Sequence, residues 1–557
     1  MLNRLWLVWL GALACGVGMI GGCSSSTTTV QRGRSEVPLY DGLGGHQRPV
    51  TTSSPLAQKY FNQGLIWAYA FNHDEAIRSF EKAAELDPHC AMAWWGVALC
   101  HGPHISNPTV PEDRARAAWA ALQRAIAVQD QASPVERDLI SALAQRYANP
   151  QPADRAALDQ AYADALAGVW EKYPRDPDVG TLYAEALMDL RPWDLWTRDG
   201  RPQPGTLTIV AVLEEVLRLD PINPGANHLY VHALEASPYP ARADAAADRL
   251  RDLVPASGHL VHMPSHIDVV TGRWALAADQ NERARAADRA YEAISPRQGF
   301  YRLYMIHNDH MLAFAAMMEG RSEVALRAAR NVVNGVPADY ARREAALVDP
   351  YMGAAYDALK RFGRWDDILN EPAPPEYLPI TTALWRFNRA VAHAAKGAVA
   401  AAEGEQAEFR AAVARVPADA LMAINPAHDI FRLADHFLLG EIAFRRGDIA
   451  ESLYQLRQAV ALEDQLRYME PPEWVQPVRH TLGAVLLSVG RHTEAEVVYR
   501  EDLAKWPSNG WSLYGLSRCL RARGADAEAQ EVEGQLRQAW SRADVPLASS
   551  CVCVPKT

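Results

Sequence analysis

Seven of the 17 histidines lie between His228 and His310, a run that holds no other histidine. His228 and His232 are four residues apart, as are His262 and His266; His259–His262 and His307–His310 are three apart. Residues three or four apart share one face of an α-helix. Imidazoles at i and i+4 can ligate a single ion, as in zinc proteases, and two or three such helices can complete a ligand set. Glu235 continues the His232 stripe with a carboxylate. Imidazoles with a carboxylate and no cysteine suit Zn, Cu, Ni or non-haem Fe and argue against a thiolate centre. Met263, inside the run, keeps copper among the candidates. The expected metal ligands are therefore His228, His232, His259, His262, His266, His307, His310 and Glu235, with Asp268 and Asp309 near enough in sequence to orient the rings.

Elements far apart in sequence must bring these side chains together, and an internal period supplies them. From Ala57 as position 1 of a 34-residue unit, Tyr60, Gly64 and Trp67 fall at 4, 8 and 11, and Ala76, Phe80, Ala83 and Pro88 at 20, 24, 27 and 32. These are the marker positions of the tetratricopeptide repeat, in which small residues let two antiparallel helices touch. The frame recurs from Leu433, Gln476 and Ser508, more weakly around Gly363 and Gly397, and from Pro224, Gly258 and Ile306 in the histidine-rich region. No period-2 strand segment stands out. The expected fold is all-α, a tetratricopeptide-repeat superhelical solenoid of stacked antiparallel helix pairs. In this frame positions 2, 5 and 9 of the three histidine-rich units are Gly225, His228, His232; His259, His262, His266; and His307, His310, Phe314. That face of the first helix lines the concave groove in such repeats, so stacked units should converge the rings on one patch.

The same pattern admits other readings. The histidines can hydrogen-bond one another and backbone carbonyls in a narrow superhelix, or form a metal-free groove for an anionic peptide or a pH-dependent partner. A metal-dependent enzyme is the third, with Glu235 as base, Tyr301 and Tyr304 as donors and the inserted segment Glu292–Met305 as lid or plain connector. Glu185 and Asp189 read more simply as a solvated helix face. His101, His104 and Cys90 lack specific metal spacing, and Trp94-Trp95 reads as core.

The N-terminus gives an address. Arg4, the apolar stretch Leu5–Ile20 and then Ile20-Gly21-Gly22-Cys23 form an export signal. The tetrapeptide resembles the lipobox of bacterial lipoproteins, which implies lipidation of Cys23. Ser24 after it resembles the outer-membrane sorting choice, facing the periplasm where the source has two membranes. The polar residues to about Glu36 read as a tether. Export permits disulfides, but Cys90, Cys100, Cys519, Cys551 and Cys553 form no framework; Cys551-Val552-Cys553 could make a thiol pair or a metal contact and reads more simply as an exposed tail. A net charge of -11 with no dense basic run argues against nucleic acid as a partner. The expected partners are an envelope protein or peptide in the groove and the membrane through the lipid alone. There is no phosphate-cradling glycine loop and no G-x-S-x-G elbow.

The expected organisation is a signal peptide at 1–22, a lipid-anchored tether at 23–52, and N-terminal repeats at 53–190. Histidine-rich repeats with an inserted loop follow at 191–345, degenerate repeats at 346–430, C-terminal repeats at 431–543, and a tail at 544–557. Asn72-His73, the segment Asp87–Gly96, His262-Met263-Pro264-Ser265-His266 and Glu470-Pro471-Pro472-Glu473-Trp474 together resemble a family of bacterial tetratricopeptide lipoproteins, from about Tyr60 to Ala543. The resemblance implies the architecture and no activity.

Overall fold

The computed structural model describes residues 37–295 and 298–554. The export signal, Cys23 and the first part of the tether lie outside them. From Leu39 the chain belongs to one compact unit, and it is helical nearly throughout; the sole sheet among the described residues pairs Leu421–Met422 with Asn425–Pro426.

Helices alternate as antiparallel pairs. Pro55–Tyr69 pairs with His73–Leu86, Pro224–Leu234 with Asp244–Leu253, Ala427–Arg446 with Ile449–Glu463, and Val478–Ser488 with His492–Lys505. Their starts follow from local chemistry. The Asn72, Asn223 and Asn509 side chains accept from the N–H groups of Glu75, Ala226 and Ser512, satisfying donors that the first turn leaves unpaired. Position 15 ends the first helix of a unit in a left-handed turn, where glycine has no Cβ to clash: Gly272, Gly320, Gly447 and Gly490 have φ between 73° and 81°.

Glycines on the first helices, at position 8 in Gly64, Gly483 and Gly515, are there for space. A Cβ on Gly64 or Gly96 would lie 2.7 or 2.6 Å from the Phe80 ring, which fills the gap between successive first helices. Gly483 and Gly515 make the same room for Tyr499. The period read from sequence is thus a packing period, and at these two junctions one aromatic is clasped by two glycines.

Two features depart from an open solenoid. From Leu39 onward, the stretch assigned by sequence to the tether is docked on the first repeats. Arg48 reaches Asp176 at 2.7 Å and Asp178 at 3.3 Å, the Thr51 hydroxyl donates to Glu136 at 2.6 Å, and that of Thr52 to Asp87 at 2.6 Å. The C-terminal repeats also fold back over the histidine-rich ones. Trp274 Nε1 donates to the Pro507 carbonyl at 2.8 Å, Trp511 Nε1 to that of Met317 at 2.8 Å, and Arg467 to that of Trp193 at 2.8 Å. The groove at the histidine-rich repeats is therefore roofed.

Gly96→Val should lower unfolding free energy by about 1–3 kcal/mol, because it overfills a closed contact. Gly404→Ala, in an exposed helix interior with nothing within 4 Å of the new Cβ, should raise it by about 0.5–1 kcal/mol. Equal denaturant midpoints for the two variants would contradict the clasp.

Candidate metal centre

Six of the seven histidines converge, and the seven are carried by four helical segments. His228 and His232 project from Pro224–Leu234. His259 and His262 lie on Gly258–His262, which Pro264 separates from Pro264–Val270, bearing His266. His307 and His310 lie on Arg302–Glu319. His228, His259, His262 and His266 are each at most 2% exposed, and His232 6%.

Six of the rings divide into two groups of three. One donor nitrogen from each of His228, His232 and His259 lies within 4.8 Å of the others, and the same holds for His262, His266 and His307. The groups adjoin, with the His232 and His266 rings 5.4 Å apart and those of His259 and His262 6.0 Å apart. His310 joins neither. It packs on Tyr351 at 5.8 Å and shares a small cavity with His307, Tyr351 and Glu470, its buried Nδ1 unpartnered.

What surrounds the rings fixes their tautomers. His228 Nδ1 lies 2.7 Å from the Tyr69 carbonyl, which can only accept. His262 Nδ1 lies 2.6 Å from Asn281 Oδ1, and the Asn281 amide is oriented by donating to the Ala277 carbonyl at 2.8 Å. His266 Nδ1 and His232 Nδ1 meet the two oxygens of Glu235 at 2.5 and 3.0 Å. With Nδ1 donating in all four, each neutral ring leaves Nε2 as a lone pair. His262 Nε2 faces His266 Nε2 at 2.7 Å, His228 Nε2 faces His259 Nε2 at 3.1 Å, and His232 Nε2 has no partner. Two lone pairs at 2.7 Å repel unless a proton or a metal ion lies between them. Nitrogens bound tetrahedrally to one zinc ion at about 2.0–2.1 Å sit about 3.3 Å apart, so opening the pair by about 0.6 Å accommodates an ion. The donor set fits a borderline metal.

Electrostatics agree. Burial drives His228, His259, His262 and His307 well below the usual imidazole range, and neighbouring rings add to it; burial alone takes His310 down to about 4. These rings are neutral at pH 7, the form that ligates. Burial acts to raise Glu235, but His232 and His266 overcome it and its net direction is down. Glu470 is raised well above the carboxylate range by burial and by the charge of Glu235.

Glu235 lies where expected, within reach of a group formed with His232 and His266; each of its oxygens meets one of their Nδ1 atoms, so it also orients a ring from each triad. Asp268 and Asp309 do not orient imidazoles; Asp268 pairs with Arg251 at 2.6 Å, and Asp309 pairs with Arg285. Burial of the Asp189–Arg146 ion pair likewise replaces the solvated face expected there. Tyr301 Oη accepts from the His259 backbone N–H at 3.2 Å, and the Tyr304 ring lies 4.4 Å from that of His259. The segment Glu292–Met305 is the end of helix Trp274–Ile294, a short turn and the start of Arg302–Glu319.

Several residues were not singled out from sequence. Asn281 sits on a second helix with no motif. Glu470, 1% exposed and 3.2 Å from His266 Nδ1, arrives from the C-terminal half; its segment carried part of the family resemblance, but nothing linked it to the histidines. Phe71 occupies position 15 of the first unit at φ 55°, where other units have glycine; its ring stacks on His104 at 4.5 Å and lies tilted 4.4 Å from that of His228. Trp193, at φ 58°, meets His232 edge-on at 5.5 Å. Left-handed backbone at bulky residues is unfavourable, and here it delivers two aromatic walls.

A cavity of about 660 Å³ opens on one side of the centre. It is lined by His232 and Glu235 together with Trp193, Tyr468, Trp474 and Arg467.

The tetratricopeptide repeat family model matches residues 57–90, and helices pair in the same manner through the rest of the described residues. No curated protein matches it. Similar solved structures include the human IFIT1 dimer with m7Gppp-AAAA, at 13% identity over 88% of this chain and 91% of that one with a TM-score of 0.34. Cut9 in the APC/C Cut9-Hcn1 hetero-tetramer is similar at 14% identity over 88% and 74%, with a TM-score of 0.30. Yeast Tom70 is similar at 10% identity over 85% and 89%, with a TM-score of 0.29.

Asn281→Ala frees His262 Nδ1 without touching a candidate ligand. Zinc affinity, measured by chelator competition, should fall about 10–100-fold; an unchanged affinity would show that His262 is not a ligand.

Proposed function

We propose that this protein is a lipid-anchored, cell-envelope tetratricopeptide-repeat scaffold that carries a transition metal in the histidine centre. His228, His232 and His259 would hold one ion, and His262, His266 and His307 an adjacent one. The observation that carries this reading is the opposed Nε2 pair of His262 and His266, 2.7 Å apart with both Nδ1 atoms held by acceptors. Zn, Cu, Ni and Fe all suit neutral imidazoles. The ion would neutralise lone pairs that otherwise repel in a dry interior, and so tie together three repeats and, through Glu470, the C-terminal half. A partner protein or peptide would meet the outer surface or the cavity mouth, since the rings themselves are covered.

One observation favours a second reading, a metal-dependent reaction. The cavity reaches His232 and Glu235, and three histidines leave a fourth position open in a zinc-type site. There, Glu235 would hold His232 in its ligating tautomer, while the tryptophans and Tyr468 exclude water from whatever the cavity admits.

The deciding experiment is elemental analysis of the chain from Ser24 onward, purified without a histidine tag, beside a His232→Ala/His262→Ala variant. One to two equivalents of transition metal in the parent, lost in the variant, is the expected result. No retained metal after reconstitution with Zn, Cu, Ni or Fe would leave a metal-free scaffold.

The anchor has its own test. No helix among the described residues is long and apolar enough to cross a membrane, so membrane attachment would rest on the lipid at Cys23. Cys23→Ser should move the chain from the membrane to the soluble fraction; a variant that stays with the membrane would overturn the lipid reading.

A further inference from the structure

The C-terminal residues are not an exposed tail. Ser550, Cys551 and Cys553 are each at most 2% exposed, tucked into the groove of the last repeats. The Ser550 hydroxyl donates to the His480 carbonyl at 2.7 Å and lies 2.6 Å from the Tyr499 hydroxyl, Tyr514 donates to the Ala548 carbonyl at 3.2 Å, and Arg445 donates to that of Cys553. The groove that such repeats offer to a peptide is here filled by the chain's own end.

Beneath the tail lies an unexplained acid. Glu441 projects from helix Ala427–Arg446, is 1% exposed, and neither of its carboxylate oxygens has a hydrogen-bond partner. Leaving a buried carboxyl unpaired costs at least about 1–3 kcal/mol. One donor atom from each of Glu441, Cys551 and Cys553 lies within 4.8 Å of the others. Gln476 completes the wall: its Nε2 lies 3.7 Å from Cys551 Sγ, and its Oε1 is buried without a partner. Cys551 and Cys553 are joined as a disulfide. A bridge across a sequence separation of 2 restrains almost none of the unfolded chain, so stabilising the fold does not explain the pair.

We propose that, with the disulfide reduced, the Cys551 and Cys553 thiolates and the Glu441 carboxylate form a second metal site, for a thiophilic divalent ion of the zinc type. An external dithiol supplies the two electrons that break the Sγ–Sγ bond and leaves as its own disulfide. The two thiols formed release their protons to water as the ion binds. Overall, disulfide, dithiol and metal ion give the metal dithiolate, the external disulfide and two protons. Soft sulfur ligands with one carboxylate select zinc-type ions over magnesium or calcium, and Arg445, on the same helix, offsets the negative charge that gathers there. The ion fastens the tail in the groove in one redox state, and the disulfide replaces it in the other. This site stands apart from the histidine centre and does not depend on it.

The test uses the chain from Ser24 onward with cobalt(II) as probe, reduced and kept free of oxygen. The reduced parent should show thiolate-to-cobalt charge-transfer absorption. The oxidised parent and Cys551→Ser/Cys553→Ser should lack it, and His232→Ala/His262→Ala should keep it. Glu441→Gln, which keeps both sulfurs and the side chain's shape, should weaken binding by at least about tenfold. Zinc should slow alkylation of Cys551 and Cys553 in the reduced parent, read by mass spectrometry peptide by peptide. Absence of the band in the reduced parent, its survival in the double serine variant, or alkylation rates indifferent to zinc would each overturn the site.

Discussion

Each imidazole buried in the centre has two nitrogens that need partners, and that requirement organises the surrounding structure. An unpartnered buried polar group costs about 1–3 kcal/mol, so a cluster of rings survives only if its environment supplies acceptors and a counterpart for the remaining lone pairs. The acceptors are the Tyr69 carbonyl in the first repeat, Glu235 beside His232, and Asn281 on the second helix of the next unit. Each holds an Nδ1 and so turns an Nε2 inward. Glu470, from the far half of the chain, lies 3.2 Å from His266 Nδ1 with neither oxygen hydrogen-bonded.

The closure of the solenoid follows the same constraint. Were the groove open, water would satisfy the rings and no buried carboxylate would be needed. Instead Trp274, Trp511 and Arg467 fasten the C-terminal repeats over the histidine-rich ones through main-chain carbonyls. Phe71 and Trp193 adopt left-handed backbone and wall the rings with aromatic surface. Unfavourable conformation at two large residues, both against the same imidazoles, is where a fold concentrates strain to shape a site. A cavity of about 660 Å³ remains open beside His232.

The repeats were legible because their period is enforced by local packing. Gly64 and Gly96 cannot carry a Cβ beside Phe80, nor Gly483 and Gly515 beside Tyr499, so spacing in sequence reports spacing in space. The histidine face was legible for the same reason, since positions 2, 5 and 9 share a helix face and successive units stack. His310 departs from the pattern and packs on Tyr351. Which atoms Glu235 meets was not legible, because ligand and ring-orienting carboxylate look alike until the nitrogen that it touches is known. The Cys551–Cys553 end looked exposed because short polar tails usually are, and nothing in its own residues shows that a groove receives it.

The sequence by itself determined the helical repeat, the convergence of the histidine-bearing faces and the residue types gathered there, because these depend on contacts within a unit or between neighbouring units. Only the tertiary structure decided which nitrogen of each ring points inward, that six rings form two triads, and that Asn281 holds His262. It also decided that Cys551 and Cys553 lie beside Glu441. Those outcomes depend on contacts between residues separated by tens to hundreds of positions, and no local period encodes them.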